Sequence, residues 1–380
     1  MRLSDILESD HGIHPASRFA VATECQRVNG EIMNEEQFRS DNHYLPCLYL
    51  KHFATSNERV SVYRTLVAHD RFPMWREKPI KGVAYRAHLY TRLAAGRETD
   101  DIEKWLDREF EAPAASAIQK VTSEAQLKPE DWVNLARFVA AQDVRTPARL
   151  GEFLTRCHAG MQNLLDSVLQ DSVRELQAAR DSGESVVPLT GSDSDFLPLR
   201  VIAEAVPGEG TAKLGLRAVV GRGLWLFAIR HWLTETLEVL HQHKWSILTL
   251  PHDMNWFTSD DPVIRLNYDR GKYDFKGNWG SPGTEILLPL SPRYLLYTQI
   301  GRRPPARGTT MPRAQAELIR QFIAEHAYRM IFAASPEQEV PRLRPRLVNG
   351  DLIREEEEQW RRWHEEQTVA ERNLMGPIET

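Results

Sequence analysis

Between residues 100 and 183 the apolar side chains recur at helical spacing; from residue 244 onward they fall in short runs broken by Pro, Gly and Asp. A chain that changes period in this way is confined to α+β architectures, because a 3.6-residue pattern buries one face as a helix and a 2-residue pattern one face as a strand. The helical stretches are "DDIEKWLDREFEAPAASAIQKV", "KPEDWVNLARFVAAQDVRTPARLGEFLTRC" and "MQNLLDSVLQDSVRELQAARDSGES", the last ending at Gly183. Helix resumes over 211–243 and again over 313–333. "KWSILTLP", "NWFTSDDPVIRLNY", "TEILLPLSP" and "RYLLYTQIG" read as an antiparallel meander, and "RVSVYRTLV" at 59–67 as an earlier short strand. The expected fold is α+β, a mainly helical body carrying a small antiparallel β-sheet in the C-terminal half.

Composition divides this into three parts. Residues 1–40 are polar and weakly periodic, an N-terminal extension. Residues 41–335 form a single α+β domain, with a Ser-, Gly-, Asp- and Pro-rich insertion at 181–210 that reads as a flexible linker or lid. Residues 336–380 form a charged helical tail, in which Glu357 and Arg361, and Glu358 and Arg362, are spaced i,i+4 as on a solvated helix face.

The 380 residues are 42% hydrophobic with a formal net charge of -5, which excludes a wholly basic nucleic-acid coat. Three cysteines without C-x-x-C spacing indicate neither a disulfide framework nor a zinc knuckle. The start of the chain carries acids where a secretory leader needs an apolar core, and no apolar run reaches the ~20 residues of a membrane span. A cytoplasmic protein with no membrane partner is expected.

Polar residues on apolar faces point to the chemistry. Ile102, Trp105, Leu106 and Pro113 form one helical stripe, and Glu109 occupies its i+7 position. Trp132, Leu135, Ala136 and Val139 form another, with Gln142 at i+10. Burying an unpartnered carboxylate or amide costs several kcal/mol, so both need partners, and Arg145 is the nearest. Pro113 and Pro147 each break a helix where such a group sits, freeing the carbonyls of Glu109 and Asp143, and Thr146 can cap the restart. A buried ion-pair network between two helices fits these residues as well as a ligand pocket does. His43, at the mouth of the helix opened by Pro46, is either a cap or a general acid or base. "WFTSDDPVIRL" brings Ser259 and Asp260 to the end of a strand, as an ordinary Asp-Asp-Pro corner or as groups aimed into a cleft. Neither a P-loop nor a G-x-S-x-G elbow occurs.

In order, "NHYLPCLYLKHFA", "IEKWLDREFEAPA", "FVAAQDVRTPAR", "WFTSDDPVI" and "LLPLSP" resemble a bacterial domain family of unknown function. Its members carry N-H-Y-x-P, I-E-x-x-x-x-x-E, Q-x-x-R-T-P, T-S-D-x-P and P-L-S-P motifs. The likeness spans roughly residues 40 to 330, and Lys51 departs from it where arginine is usual. It implies that His43, Glu109, Gln142, Arg145, Ser259 and Asp260 belong to one recurring pattern, and it carries no activity.

Two functions follow as expectations. The first is hydrolysis of a phosphate-containing substrate, as by a nuclease or phosphodiesterase. Glu109 and Asp260 would hold Mg²⁺ or Mn²⁺, and His43 would act as general acid or base. Gln142 would orient the nucleophile, while Asn42, Arg145 and Ser259 bind the substrate. The second is a sensor or effector module that captures a small anion or nucleotide without turnover. Partners would be a small phosphorylated ligand or nucleic acid.

Overall fold

A computed structural model describes residues 38–94, 96–183, 199–206 and 211–375. Helix accounts for 47% and strand for 22%, and the strands are spread along the whole chain. The α+β class therefore holds, but the body is not mainly helical and its sheets are not confined to the C-terminal half.

The chain enters on β1 (Asp41–His43), and Pro46 then flanks α1 (Cys47–Leu50), its carbonyl accepting from Tyr49 N at 3.0 Å and Leu50 N at 3.1 Å. Tyr44, Leu45, Tyr49, Leu50 and Phe53 are all buried, which accounts for the apolar character of this short segment. Next come β2 (Arg59–Arg64), β3 (Leu66–Val67), β4 (Trp75–Pro79), β5 (Tyr85–Ala87) and the hairpin β6 (Arg92–Ala94) with β7 (Arg97–Thr99). Strand β1 pairs with β5, bringing Asn42 opposite Arg86 and His43 opposite Tyr85.

The helical half begins with α2 (Asp101–Leu106), a π-helical turn (Asp107–Glu111) and α3 (Ala112–Thr122). Asp100 takes the N-cap position of α2, but its carboxylate accepts from Arg39 N at 2.8 Å instead of capping the helix. Helix α4 (Pro129–Val144) stops before Pro147, and α5 (Pro147–Ser182) restarts with Thr146 accepting from Arg149 N at 3.3 Å. Gly183 ends α5 at φ 72°, the left-handed cap that glycine adopts without a Cβ penalty. Strand β8 (Leu199–Val206) then pairs with β9 (Thr211–Ala218). Residues 199–206 were expected in the flexible insertion and 211–218 in a helix, yet each satisfies its backbone groups on the other as a hairpin. The rest of the insertion beyond Gly183, and residues 1–37, lie outside the described residues.

Helix α6 (Arg222–His231) runs through a π-helical turn (Trp232–Thr236) into α7 (Glu238–His241). The C-terminal half contributes β10 (Ser246–Thr249), β11 (Thr258–Ser259), β12 (Ile264–Asp269), β13 (Lys272–Asp274), β14 (Glu285–Pro289) and β15 (Tyr294–Gln299). Helix α8 (Arg313–His326), β16 (Met330–Ala333), α9 (Val340–Leu343), β17 (Leu347–Val348) and α10 (Gly350–Met375) complete the chain. The runs expected as a meander form the five-stranded antiparallel sheet β10-β15-β14-β12-β13, except that β10 pairs with the last strand, β15, and Thr258–Ser259 of the second run joins the other sheet. A second sheet, β11-β16-β2-β4, joins strands from both ends of the chain. Residues 330–333, read as the end of a helix, form β16 in that sheet because both β2 and β11 pair with them.

Trp225, Trp256 and Trp279 are among the largest fully buried side chains, and Trp232 is buried with them, so the tryptophans hold the core. Tyr49 ties the first helix to both sheets. Its Oη donates to Pro289 O at 2.7 Å and accepts from Thr258 Oγ1 at 2.7 Å. Tyr49→Phe leaves both partners buried and unmatched, so urea unfolding should show a loss of about 1–3 kcal/mol; a change within error would mean that the hydroxyl is not what joins the helix to the sheets.

Candidate anion-binding site

The break between α4 and α5 gathers a buried cluster of charges. Asp143 Oδ2 accepts from Trp279 Nε1 at 2.7 Å and faces Arg265 Nε at 3.4 Å. Thr146 Oγ1 donates to Asp261 Oδ1 at 2.9 Å. Arg149, one turn into α5, reaches Asp143 at 3.5 Å, Asp261 at 3.4 Å and Glu152 at 2.8 Å. Its Nη2 also donates to His326 Nε2 at 3.1 Å, while His326 Nδ1–H donates to Asp261 O at 3.0 Å. A guanidinium and a backbone carbonyl on opposite sides of the ring require one lone pair and one N–H, so His326 is neutral. Burial, reinforced by Arg149, holds its pKa down to about 3.

Beside this cluster, Arg145 is fully buried. Its Nε donates to Tyr44 O at 3.0 Å, its Nη1 meets Glu111 Oε1 at 2.5 Å, and Tyr90 Oη donates to its carbonyl at 2.7 Å. With its amide oxygen toward the guanidinium, Gln142 accepts from Arg145 Nε at 3.1 Å and Nη2 at 3.0 Å. Burial pushes Glu103 up to about 7, with Arg145 opposing and Glu111 adding to the rise.

The residues singled out from the sequence fall into two groups. Gln142, Arg145, Ser259 and Asp260 are buried close to this junction, and so is Asn42, whose Oδ1 accepts from Tyr90 N at 2.9 Å. Ser259 Oγ donates to Asp261 O at 2.8 Å and closes the Asp-Asp-Pro corner. Asp260 accepts backbone N–H bonds from Tyr328 at 2.9 Å, Arg329 at 2.8 Å and Met330 at 3.0 Å. Burial pushes its carboxyl up to about 7, against these three bonds, which favour the carboxylate. His43 and Glu109 lie apart from this group. His43 is half-buried at the surface, its Nε2 3.3 Å from Lys81 O and its ring 5.6 Å from Tyr85. Glu109 is partly exposed and pairs with Arg108 at 2.9 Å and Arg137 at 3.7 Å, while its carbonyl accepts from Arg137 at 3.2 Å. The carboxylate that meets Arg145 is Glu111.

Above Tyr44 and Met330 lies a concavity of about 340 Å³. One wall is the face of β2 and β4 that presents Val62, Arg64, Arg76 and Lys78, and the other is Gly82–Ala87, with Arg86 and Tyr85. Residues two apart on a strand share a face, so Arg76 and Lys78 point together while Glu77 turns away to meet Arg59 at 3.2 Å. The guanidinium carbons of Arg64 and Arg76 stand over the Phe72 ring at 5.7 and 5.4 Å. Among the described residues no carboxylate lines the hollow, and none of these four cations has an ion-pair partner. A larger hollow of about 750 Å³ beside Arg149 and His326 differs in kind, because Glu152, Asp261 and Glu325 stand in its wall with the arginines.

Residues 41–337 match a family described as "Protein of unknown function" (DUF4238). The chain belongs to this family. No curated protein and no solved structure matches it. The family match takes in every residue lining the basic concavity and ends before α10. Sequence reasoning missed Arg64, Arg76, Lys78 and Arg86, whose alternation on short strands was the available signal. It also missed Asp143, Arg149, Asp261 and His326, of which Asp143 and Asp261 occupy open positions of the Q-x-x-R-T-P and T-S-D-x-P motifs.

His326 makes the junction sensitive to acid. Its folded pKa lies below the ordinary 6.5, so the stabilisation of the neutral ring is complete above pH 6.5 and is lost as pH falls toward 3. Asp260 and Asp261 act in the opposite sense, because burial raises both. The comparison of wild type with His326→Gln isolates the ring: between pH 6.5 and 4.5 the difference in unfolding free energy should change by about 1.4 kcal/mol per pH unit. A pH-independent difference would contradict a neutral, buried imidazole.

Proposed function

We propose that the protein captures a small phosphate-bearing ligand in the concavity between β2, β4 and the Gly82–Ala87 segment. The observation that carries this reading is the set of four basic side chains, Arg64, Arg76, Lys78 and Arg86, converging on one hollow whose lining holds no acid. Like charges held together without counter-ions disfavour folding, and an anion relieves that repulsion. Guanidinium forks fit phosphate oxygens bidentately, and stacking Arg64 and Arg76 on Phe72 orders their side chains in advance of binding. Tyr44 at the floor stays a neutral phenol, since burial and the nearby Asp260 carboxylate raise its pKa, and it offers a hydroxyl to a phosphate oxygen.

Capture fits the donor set better than hydrolysis at a Mg²⁺ or Mn²⁺ centre. Asp260 spends both oxygens on three backbone N–H groups, Glu109 is held by Arg108 and Arg137, and the two carboxylates share no partner. His43 is turned to the Lys81 carbonyl and Tyr85.

Titration calorimetry with inorganic pyrophosphate and with ADP tests the reading. Each charge-assisted hydrogen bond contributes about 1.5–3 kcal/mol, so Arg64→Ala or Arg86→Ala should weaken binding by roughly 10- to 100-fold. Affinity should also fall as salt rises. Undiminished binding in an Arg64→Ala, Arg76→Ala double variant, or no binding by the wild type, would refute it. Recovery of the nucleotide unchanged after prolonged incubation separates capture from turnover.

A further inference from the structure

Helix α10 lies outside the family match, and one of its faces is a latch. His364, Gln367, Thr368 and Glu371 fall at i, i+3, i+4 and i+7, and all four meet the first residue of α6, Arg222. Gln367 Oε1 accepts from Arg222 N at 2.7 Å, in the space that a Cβ at the preceding Gly221 would occupy. The buried Arg222 guanidinium donates to Glu371 at 2.9 Å, to Thr368 at 3.3 Å and to His364 Nδ1 at 2.9 Å.

On the outer side of this latch the His364 ring stacks on His88, with centroids 3.7 Å apart and planes at 13°. Because a guanidinium only donates, His364 Nδ1 is the lone pair and its Nε2–H faces Glu98 Oε1 at 3.2 Å. His88 Nδ1 lies 3.2 Å from Thr91 Oγ1. His88, Glu98 and His364 bring one possible ligand atom each within 4.8 Å of one another. Two features argue against a metal there. A cation bound in the plane of each ring would have to lie in two nearly parallel planes, and Arg222 fixes the proton of His364 on the nitrogen that faces Glu98. The cluster is a stack of two neutral rings, not a cation site.

We propose that the His88–His364 stack is an acid-sensitive clasp, which holds α10 on the domain while both rings are neutral and releases it when they are protonated. Every group facing the stack enters the balance. Glu98 on β7 and Asp41 on β1 favour a protonated ring, while Arg222 on α6 and the opposite imidazole oppose it. Glu371 on α10 is already committed to Arg222. Burial lowers the pKa of both rings, and His88 lowers that of His364 further. Since the docked values lie below those of free histidine, docking is favoured above pH 6.5 and weakens as pH falls. Release also lifts Trp360 from Arg86, where the guanidinium carbon now stands 5.0 Å over the indole, and so uncovers a wall residue of the basic concavity.

Hydrogen exchange of the full chain, followed by mass spectrometry at pH 7.5, 6.5 and 5.5 and corrected for intrinsic rates, tests the clasp. In the wild type, exchange across 350–375 should rise at least tenfold from pH 7.5 to 5.5, while α4 stays protected. The His88→Phe, His364→Phe double variant keeps a ring stack without titration and should show no such rise. Glu98→Gln removes the carboxylate that offsets a protonated ring, so α10 should open at a higher pH than in the wild type. Should the double variant not fold, Glu98→Gln carries the test alone. Unchanged α10 protection across this range, opening of the double variant like wild type, or a Glu98→Gln midpoint moved to lower pH would overturn the proposal.

Discussion

The Thr146 hydroxyl, donating to Asp261 Oδ1 at 2.9 Å, fastens the break between two helices to the corner between two strands. Both ends are fully buried, and Arg149, His326, Asp143 and Arg265 are arranged around them. Two aspartates and two arginines balance in charge, which is the condition under which such a group tolerates loss of water. Removing one member leaves the others buried and unpaired, which costs far more than breaking an exposed ion pair. The helical half and the sheets are therefore locked to each other here, and this junction fixes what lies beside it.

What lies beside it is the floor of the basic concavity. Asp260, adjacent to the locked Asp261, clamps the backbone of Tyr328, Arg329 and Met330, and so sets the start of β16. Arg145, three residues after Gln142, holds the carbonyl of Tyr44. Met330 and Tyr44 are the two floor residues, so each is positioned by a charged side chain from the junction. The walls obey a different rule. Whereas the aspartates and arginines of the junction face one another, the four cations of the concavity have no ion-pair partner among the described residues, and the proposed anion site rests on that contrast.

Much of the junction was legible in the sequence, because proline and threonine act locally. Pro147 cannot continue a helix and Thr146 can start one, and the chain does both. Gly183 as a terminator and the C-terminal strand runs were likewise local signals, although the order in which those strands pair was not. The partner of Arg145 was not legible, for a definite reason. A π-helical turn over Asp107–Glu111 interrupts the 3.6-residue repeat, and the carboxylate that reaches Arg145 is Glu111, not Glu109 at i+7. Helical periodicity cannot anticipate its own interruption.

Residues 211–218 misled in another way. Ala, Lys, Leu and Arg favour helix, but pairing with β8 decides the conformation, and a pairing partner is a tertiary fact. The tail's docking face was passed over because His364, Gln367, Thr368 and Glu371 are polar, although Trp360 and Trp363 pack against the core from the same helix. Its solvated side was legible in part: Arg362 meets Glu358 at 3.4 Å, as the i,i+4 spacing implied, but Arg361 also turns to Glu358, at i,i+3, and not to Glu357. The concavity escaped because its basic residues lie on short strands whose pairing is a tertiary fact, β2 with β4 and β5 with β1.

The central claim is that an anion belongs in the basic hollow and not beside the charge-balanced junction. A crystal soaked in tungstate, read from its anomalous difference map, tests this most directly. The account predicts a peak among Arg64, Arg76, Lys78 and Arg86, within reach of Tyr44; a hollow that stays empty while tungstate collects beside Arg149 and His326 would contradict it.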